Sequence, residues 1–360
     1  MPIKKSMNKD NQKKPFVSIV IPCYNAKDFI KGCLKSVLKT TYPNFELILV
    51  DDFSKDGTDE YLLKTYKNNR KISIVRNKKN SGPSVTRNHG VLLARGELIA
   101  FVETDMEVDP GWLEPLVEAM QNDEKLGAVQ SKILDINKRN LIQSMGVKFN
   151  PHTFWVISPD SGKNKKSIPQ TLEMGIGSVG SLVRRSVIKK IGCYDEKLVH
   201  NIDDLDFGWR IWLAGYNIRT IPESITYHWT AKPSSLREKT TPSLASELHF
   251  HKGPRILIKN YEVQNVIRYL PWLFFAYFIR IIKNLFAGNT TPLRGFLKSL
   301  VWEVSSFPDT LKERKRIQKL RKRTDKEMFE KLAIPGNFFH FYFSYVKPNL
   351  KMAQKTFVLK

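Results

Sequence analysis

Val17-Ser-Ile-Val-Ile21 is an apolar run of strand length, stopped by Pro22 and followed by Cys23-Tyr24-Asn25. Immediately after it, Phe29, Ile30, Cys33, Leu34, Val37 and Leu38 recur at helical spacing. Glu46-Leu-Ile-Leu-Val50 reads as a second strand ending at Asp51-Asp52, and Thr58 stands where it would cap a helix carrying Tyr61, Leu62, Leu63 and Tyr66. A third strand (72–75), a helix from about 84 to 93 and a fourth strand (98–102) continue the pattern. Strand–helix alternation of this kind predicts an α/β domain with a mostly parallel sheet covered on both faces. Ligands of such sheets sit beyond the carboxyl ends of the strands, which directs attention to residues 22–25, 51–52 and 103–105.

Farther along, 128–131 and 178–183 read as strands, 203–214 as a helix, 217–221 and 224–228 as two more strands, and 160–170 as a polar loop. After Pro233 the texture changes. The stretch 269–279 is apolar for 11 residues before Arg280 and Lys283 interrupt it, and 312–326 holds nine basic residues in fifteen. The expected organisation is a basic, disordered N-terminus (1–15), an α/β domain (16–232) and a basic, amphipathic helical region (233–360).

Across 360 residues, 59 Lys+Arg against 35 Asp+Glu give a net charge of +24, of which +16 falls after residue 230. Such a balance implies an anionic partner: nucleic acid, anionic lipid or a phosphorylated ligand. Three scattered cysteines exclude a disulfide framework and a Cys-based zinc site. The polar, lysine-rich segment 1–14 lacks the apolar stretch of a secretory signal, so the α/β domain is expected in the cytoplasm.

Three acidic clusters fall at chemically useful places. Asp51-Asp52 follows the second strand, where a carboxylate either turns the chain or accepts hydrogen bonds from a nucleobase or ribose. Glu103-Thr104-Asp105 follows the fourth strand. Clustered carboxylates repel one another unless something positive intervenes, and a hard divalent cation is the usual solution. Asp203-Asp204-Leu-Asp206 opens a helix, where carboxylates favour the dipole and cap free N–H groups, and where one could serve as a general base. Arg87 could reach a diphosphate, and His228, ending a strand, could supply a nitrogen ligand.

Taken together these segments resemble the family 2 glycosyltransferases with their GT-A, Rossmann-like fold. The resemblance spans about Phe16 to Trp229. It rests on Val17-Ser-Ile-Val-Ile-Pro-Cys-Tyr-Asn25, Val50-Asp-Asp-Phe-Ser-Lys-Asp-Gly-Thr58, Asn80-Ser-Gly-Pro-Ser-Val-Thr-Arg-Asn88, Arg95-Gly-Glu-Leu-Ile-Ala-Phe-Val-Glu-Thr-Asp105, Val108-Asp-Pro-Gly-Trp-Leu113, Gly180-Ser-Leu-Val-Arg-Arg185, Gly192-Cys-Tyr-Asp-Glu196 and Asp203-Asp-Leu-Asp206, in that order.

The resemblance implies an inverting transfer of sugar from a nucleotide-diphosphate sugar to a saccharide or lipid-linked acceptor, with a divalent cation, Mn²⁺ or Mg²⁺. It places Pro22, Tyr24 and Asp52 at the nucleoside and Arg87 near the diphosphate. Glu103, Thr104 and Asp105 fall on the Asp-x-Asp motif, and His228 joins Asp105 at the metal. Asp204 becomes the base, with Asp203 and Trp209 beside it on the acceptor side. Two departures stand out: Glu replaces Asp at 103, and Asp replaces Glu at 203. Arg255-Ile-Leu-Ile-Lys-Asn260 and the apolar segment after it are similar to the amphipathic tails of relatives that work on membrane-bound acceptors, which implies an anionic membrane surface as a partner and a peripheral location on the cytoplasmic face of the cell membrane. The rival readings are a nucleic-acid-binding protein, whose basic residues here form no recognised reader module, and an inactive nucleotide-sugar-binding scaffold.

Overall fold

The structure, a computed structural model, describes residues 14–152, 156–168, 180–198, 202–229 and 253–334. The N-terminal segment 1–13, the boundary at 232/233 and the aromatic stretch 338–346 lie outside the described residues.

The first part alternates as its sequence predicts: β1 (Val17–Cys23), α1 (Lys27–Val37), β2 (Phe45–Asp51), α2 (Thr58–Tyr66), β3 (Ile72–Arg76), α3 (Pro83–Leu93) and β4 (Leu98–Phe101). The strands lie in the order β3-β2-β1-β4, all parallel. β1 and β2 are buried along their whole length, which is why they read as near-continuous apolar runs. Their polar residues are satisfied at the strand starts: the Ser18 hydroxyl donates to Glu46 at 2.7 Å, and Glu46 accepts from the Arg95 backbone N–H and Nε at 2.8 Å each.

Two details depart from expectation. Pro22 does not stop β1, which runs on to Cys23. The Val102 N–H donates to the Val20 carbonyl, so alternate residues of β1 face β4, but pairing with β4 ends at Val20 and a missing N–H at Pro22 costs no ladder bond. Nor does Thr58 cap α2. It is the first helical residue, and its hydroxyl accepts from the Ala26 N–H and donates to Asp56, tying the β1–α1 turn to the β2–α2 loop.

The chain continues through β5 (Met106–Val108), α4 (Leu113–Asn122), β6 (Leu126–Asp135), β7 (Ile142–Ser144), a small β8 (Lys148–Phe149) and β9 (Val156–Ile157) ladder, β10 (Ser181–Arg184), α5 (Arg185–Ile191), α6 (Asp203–Leu213) and β11 (Asn217–His228). The sheet extends beyond β4 as β10-β6-β11-β5, with β7 also on β6. β10 is antiparallel to both its neighbours, so the sheet is parallel on one side and mixed on the other. The two strands expected at 217–221 and 224–228 are one, β11, with a register shift between Ile221 and Ile225 that accommodates Pro222, which has no N–H to pair.

The C-terminal helices α7 (Gly253–Asn260), α8 (Val263–Phe286), α9 (Thr291–Gln318) and α10 (Asp325–Leu332) pack on α6 and share its core. One apolar cluster runs from Val20 and Phe101 in the sheet through Trp209 and Trp212 to Ile256, Leu257, Tyr261, Leu273 and Met328. This sandwiching buries every residue of α6 except Asp204, the charged Asp203, Asp206 and Arg210 included. α8 turns Tyr269, Leu273, Tyr277 and Ile281 inward, four residues apart, and leaves Trp272, Phe275 and Phe278 exposed.

Several basic residues of this region donate to backbone carbonyls of neighbouring elements. Arg314 donates to the Tyr261 carbonyl just past α7, Arg316 to the Ile191 carbonyl at the end of α5, and Arg323 to the Gly215 and Tyr216 carbonyls just past α6. Helix C-termini leave unpaired carbonyls with partial negative charge, so arginines are suited to them. Part of the excess charge therefore braces helix ends rather than meeting a partner.

Candidate active site

β1, β2 and β4 all end on one side of the sheet, where the loops after them meet α3 and α6. Gly90 lets α3 approach closely: a Cβ there would stand 2.4 Å from Val20 Cγ1. The approach brings Arg87, 6% exposed, beneath the strand-end loops. Its Nη2 meets Glu103 Oε1 at 2.5 Å and its Nη1 meets Asp203 Oδ2 at 2.8 Å, while the guanidinium lies over the Tyr194 ring. Burial acts against the Arg87 cation, but Glu103, Tyr194 and Asp203 outweigh it and raise its pKa further. The sequence put Arg87 near a diphosphate; the structure shows it joining the second and third acidic clusters.

Those clusters divide into distinct roles. Asp203 is buried and accepts from Ser84 Oγ at 3.0 Å as well as from Arg87. Asp206 is fully buried and pairs with Arg210 at 2.9 Å. Asp204 is the one residue of α6 that is not buried. Its Oδ1 accepts from the Leu205 N–H at 2.8 Å. No side chain caps the helix at its N-cap residue, Ile202.

Asp105 and His228 are brought together by the β5–β11 ladder, in which Met106 pairs with His228 and the Trp229 N–H donates to the Asp105 carbonyl. His228 Nε2 lies 3.4 Å from Asp105 Oδ1. Its Nδ1 lies 2.9 Å from Gln143 Nε2 and 3.0 Å from Gln143 Oε1. With the amide N–H turned to Nδ1, Nε2–H donates to Asp105; with the amide oxygen turned to Nδ1–H, the Nε2 lone pair faces the carboxylate and the two acceptors suit a cation between them. A carboxylate oxygen and an imidazole nitrogen suit Mn²⁺ or Mg²⁺, with remaining positions open to phosphate and water. Among the described residues no three His, Cys, Asp or Glu side chains converge as a closed metal site. Glu103, engaged by Arg87, stands apart from this pair.

At the nucleoside end, Pro22 is buried and Tyr24 is 39% exposed. Asp52 is buried, and its carboxylate accepts from Asn77 Nδ2 and from the backbone N–H groups of Ser81 and Gly82 at 2.8–2.9 Å. It therefore shapes the loop that leads into α3. Thr104 is partly exposed in the turn after Glu103. Trp209 is not at this site: it is 2% exposed, packed against Phe149 and Tyr261 in the core beneath α6. A tryptophan in an apolar helix is as compatible with a core as with a sugar-binding wall, and the C-terminal helices that cover it decide the matter.

Sequence reasoning missed Phe53, which adopts a left-handed φ of 63° and is exposed beside Asp52, and Gln143, which orients His228. A positive φ at a bulky residue has no sequence signature. Nor does a glutamine 85 positions from its partner. A cavity of about 390 Å³ lined by Arg95, Glu97, Arg184 and Lys189 lies at the amino end of β4, and none of the candidate residues lines it.

The Glycosyl transferase family 2 profile matches residues 18–192. The putative teichuronic acid biosynthesis glycosyltransferase TuaG of Bacillus subtilis strain 168 is 39% identical over 107 residues, 30% of this chain and 42% of TuaG. The probable glycosyltransferase YdaM of the same organism is 26% identical over 329 residues, covering 83% of this chain and 73% of YdaM. A poly-β-1,6-N-acetyl-D-glucosamine synthase of Staphylococcus epidermidis is 24% identical over 227 residues. The chain spans about half the length of TuaG and of the synthase, at 42% and 52%. Among solved structures, GalNAc-T7 with UDP, GalNAc and Mn²⁺ superposes with a TM-score of 0.56 at 18% identity, covering 71% of this chain and 49% of that one, which speaks to the fold. Residues 18–192 thus form a family 2 glycosyltransferase domain with the GT-A fold.

Proposed function

We propose that the chain transfers a sugar from a nucleoside-diphosphate sugar to an acceptor hydroxyl with inversion, in synthesis of a lipid-linked or cell-surface glycan. The observation that carries this reading is the Glu103–Arg87–Asp203 bridge, which ties the strand-end turn carrying Asp105, itself 3.4 Å from His228, to the start of α6 and the part-exposed Asp204. The names of TuaG and the poly-N-acetylglucosamine synthase support the glycan class.

In this reading Tyr24 presents its ring to the nucleobase, with Pro22 behind it. Asp52 uses three of its roughly four lone-pair positions on the Asn77–Gly82 loop, which leaves one for a ribose hydroxyl. Asp105 and His228 would hold a divalent cation, which when bound offsets the charge of a leaving diphosphate. Asp204 accepts the proton of the acceptor hydroxyl as that oxygen approaches the anomeric carbon from the face opposite the diphosphate. A single base on the acceptor, with no enzyme nucleophile, gives inversion. The test is a panel of nucleotide sugars with Mn²⁺ or Mg²⁺, following nucleoside diphosphate release and the anomeric configuration of the product by NMR. Release with inverted product is expected; retained configuration contradicts the inverting role of Asp204.

His228→Ala is expected to weaken Mn²⁺ affinity by roughly 10-fold or more, since even partners behind a ligand contribute 10- to 100-fold. Metal titration of the variant checks this. A lowered melting temperature with unchanged metal affinity would instead mark His228 as a packing residue.

We also propose attachment to an anionic membrane through α8 and α9, placing the protein peripherally on the cytoplasmic face. α8 is 24 residues long, enough to cross a bilayer by length, and mostly unburied. Arg280 and Lys283 within it favour lying in the interface. Exposed Phe275, Phe278, Val301 and Val304 offer apolar contacts. Truncation before α7 would open the core, so exposed-site variants are the sounder probe. The double variant Phe278→Glu/Val301→Glu should lose flotation with anionic liposomes while keeping its melting temperature. Undiminished flotation would contradict this mode of attachment.

A further inference from the structure

Asp204 is half of a helical turn held from two sides. On one side Asp203 is clamped by Ser84 and Arg87. On the other, two residues beyond Asp204, the fully buried Asp206 is held by groups from outside the family-matched segment: Lys259 Nζ lies 3.0 Å from its Oδ1, and Asn260 Nδ2 donates to the same oxygen at 2.8 Å. Both come from the end of α7. Lys259, 1% exposed, also pairs with Asp195, which Arg255 of the same helix grips through Nε at 2.9 Å and Nη2 at 3.1 Å. Arg255 in turn reaches Asp309 of α9 at 2.9 Å.

A mere tail would not be built this way. Arg255 and Lys259 carry the long cationic side chains expected at a membrane surface, yet both are buried against carboxylates of the α/β domain. The backbone at the end of α7 is fixed as well, since the Lys259 and Asn260 carbonyls accept from Gln318 and the Asn260 carbonyl from Arg321. Burial works against the charge on Asp206, but Lys259 and Arg210 prevail and hold its pKa below the usual carboxylate range. A carboxylate ionised in a dry site keeps its position only as long as its donors keep theirs.

We infer that Lys259 and Asn260 are positioning residues for the reaction: by fixing Asp206 they fix the first turn of α6 and the orientation of Asp204 toward the acceptor. The inference rests on Asp204 as the base. An ångström of misplacement in a reacting group can cost on the order of 10²-fold in rate. The C-terminal helices then complete the active site without lining it.

The experiment uses the full chain. Asn260→Ala removes one hydrogen bond to Asp206 without leaving a charge unpaired, and is expected to lower kcat by roughly 10-fold or more with donor Kd unchanged. Lys259→Met should lower kcat further and Lys259→Arg should restore part of it. Should Lys259→Met fail to fold, Asn260→Ala decides alone. The distinguishing readout is the double variant Asn260→Ala/Asp204→Asn. If Asn260 acts through Asp204, the second substitution adds nothing to the loss caused by Asp204→Asn. Unchanged kcat in Asn260→Ala, an equal fall in donor affinity, or the same fold-loss in both backgrounds would overturn the inference. Absence of transfer in the wild-type chain, or an unaffected Asp204→Asn, would instead overturn the reading on which it rests.

Discussion

Asp204→Asn is expected to reduce sugar transfer by roughly 10²-fold or more while leaving donor affinity and the fold intact. The amide is nearly isosteric and retains an oxygen to accept from the Leu205 N–H, so the helix start keeps its local hydrogen bond. What it loses is the ability to take a proton. The position is chosen by elimination within one turn: Asp203 is spent on Ser84 and Arg87, and Asp206 on Arg210, Lys259 and Asn260. Only Asp204 has a surface from which to meet an acceptor. Turnover measured beside donor binding checks the prediction. Were both unchanged, Asp204 would be a residue of the helix start, and Asp203 the next candidate.

The second large effect belongs to Arg87→Leu. Arg87 stands between two carboxylates, one 116 residues away from it in the chain and the other 16. Removing it leaves Glu103 and Asp203 facing each other across an apolar side chain. Breaking a buried ion pair by deleting one partner typically costs about 3–5 kcal/mol. A melting temperature lower by several degrees is therefore expected, together with loss of donor binding, because the strand-end loop and the start of α6 share this cation. Arg87→Leu/Asp203→Asn should recover part of the stability, since it removes one of the stranded charges. A melting temperature equal to that of the wild type would show that the bridge contributes nothing.

How much of this was legible beforehand depends on the range of the interactions. β1, β2 and β4 announce themselves because strands buried on both faces are apolar throughout, and the acidic clusters at their ends follow from where such sheets bind ligands. Asp105 and His228 were each singled out, and the β5–β11 ladder accounts for their meeting. The fate of Arg87 was not legible, because no local pattern announces an ion pair across 116 positions. Trp209 misled for a related reason: its neighbours Phe149, Tyr261 and Phe329 come from three separate stretches of chain. In the C-terminal region composition was a poor guide to direction. A run dense in lysine and arginine suggests a solvated, anion-seeking surface, but Arg314 and Arg323 donate to carbonyls at helix ends, and the buried Arg255 and Lys259 pair with Asp195 and Asp206. Charge counts register how many cations a segment carries, while packing decides which of them reach solvent.

The central claim is that the strand ends of β1, β2 and β4 bind a nucleoside-diphosphate sugar with the help of the Asp105–His228 pair. Calorimetric titration of the full chain with a panel of nucleotide sugars, with and without Mn²⁺, tests it most directly when wild type and Asp105→Asn are run together. The account predicts that at least one nucleotide sugar binds the wild type in a Mn²⁺-dependent manner and that Asp105→Asn abolishes the dependence. Binding of no member of the panel, or binding that is the same in both proteins with and without the metal, would contradict it.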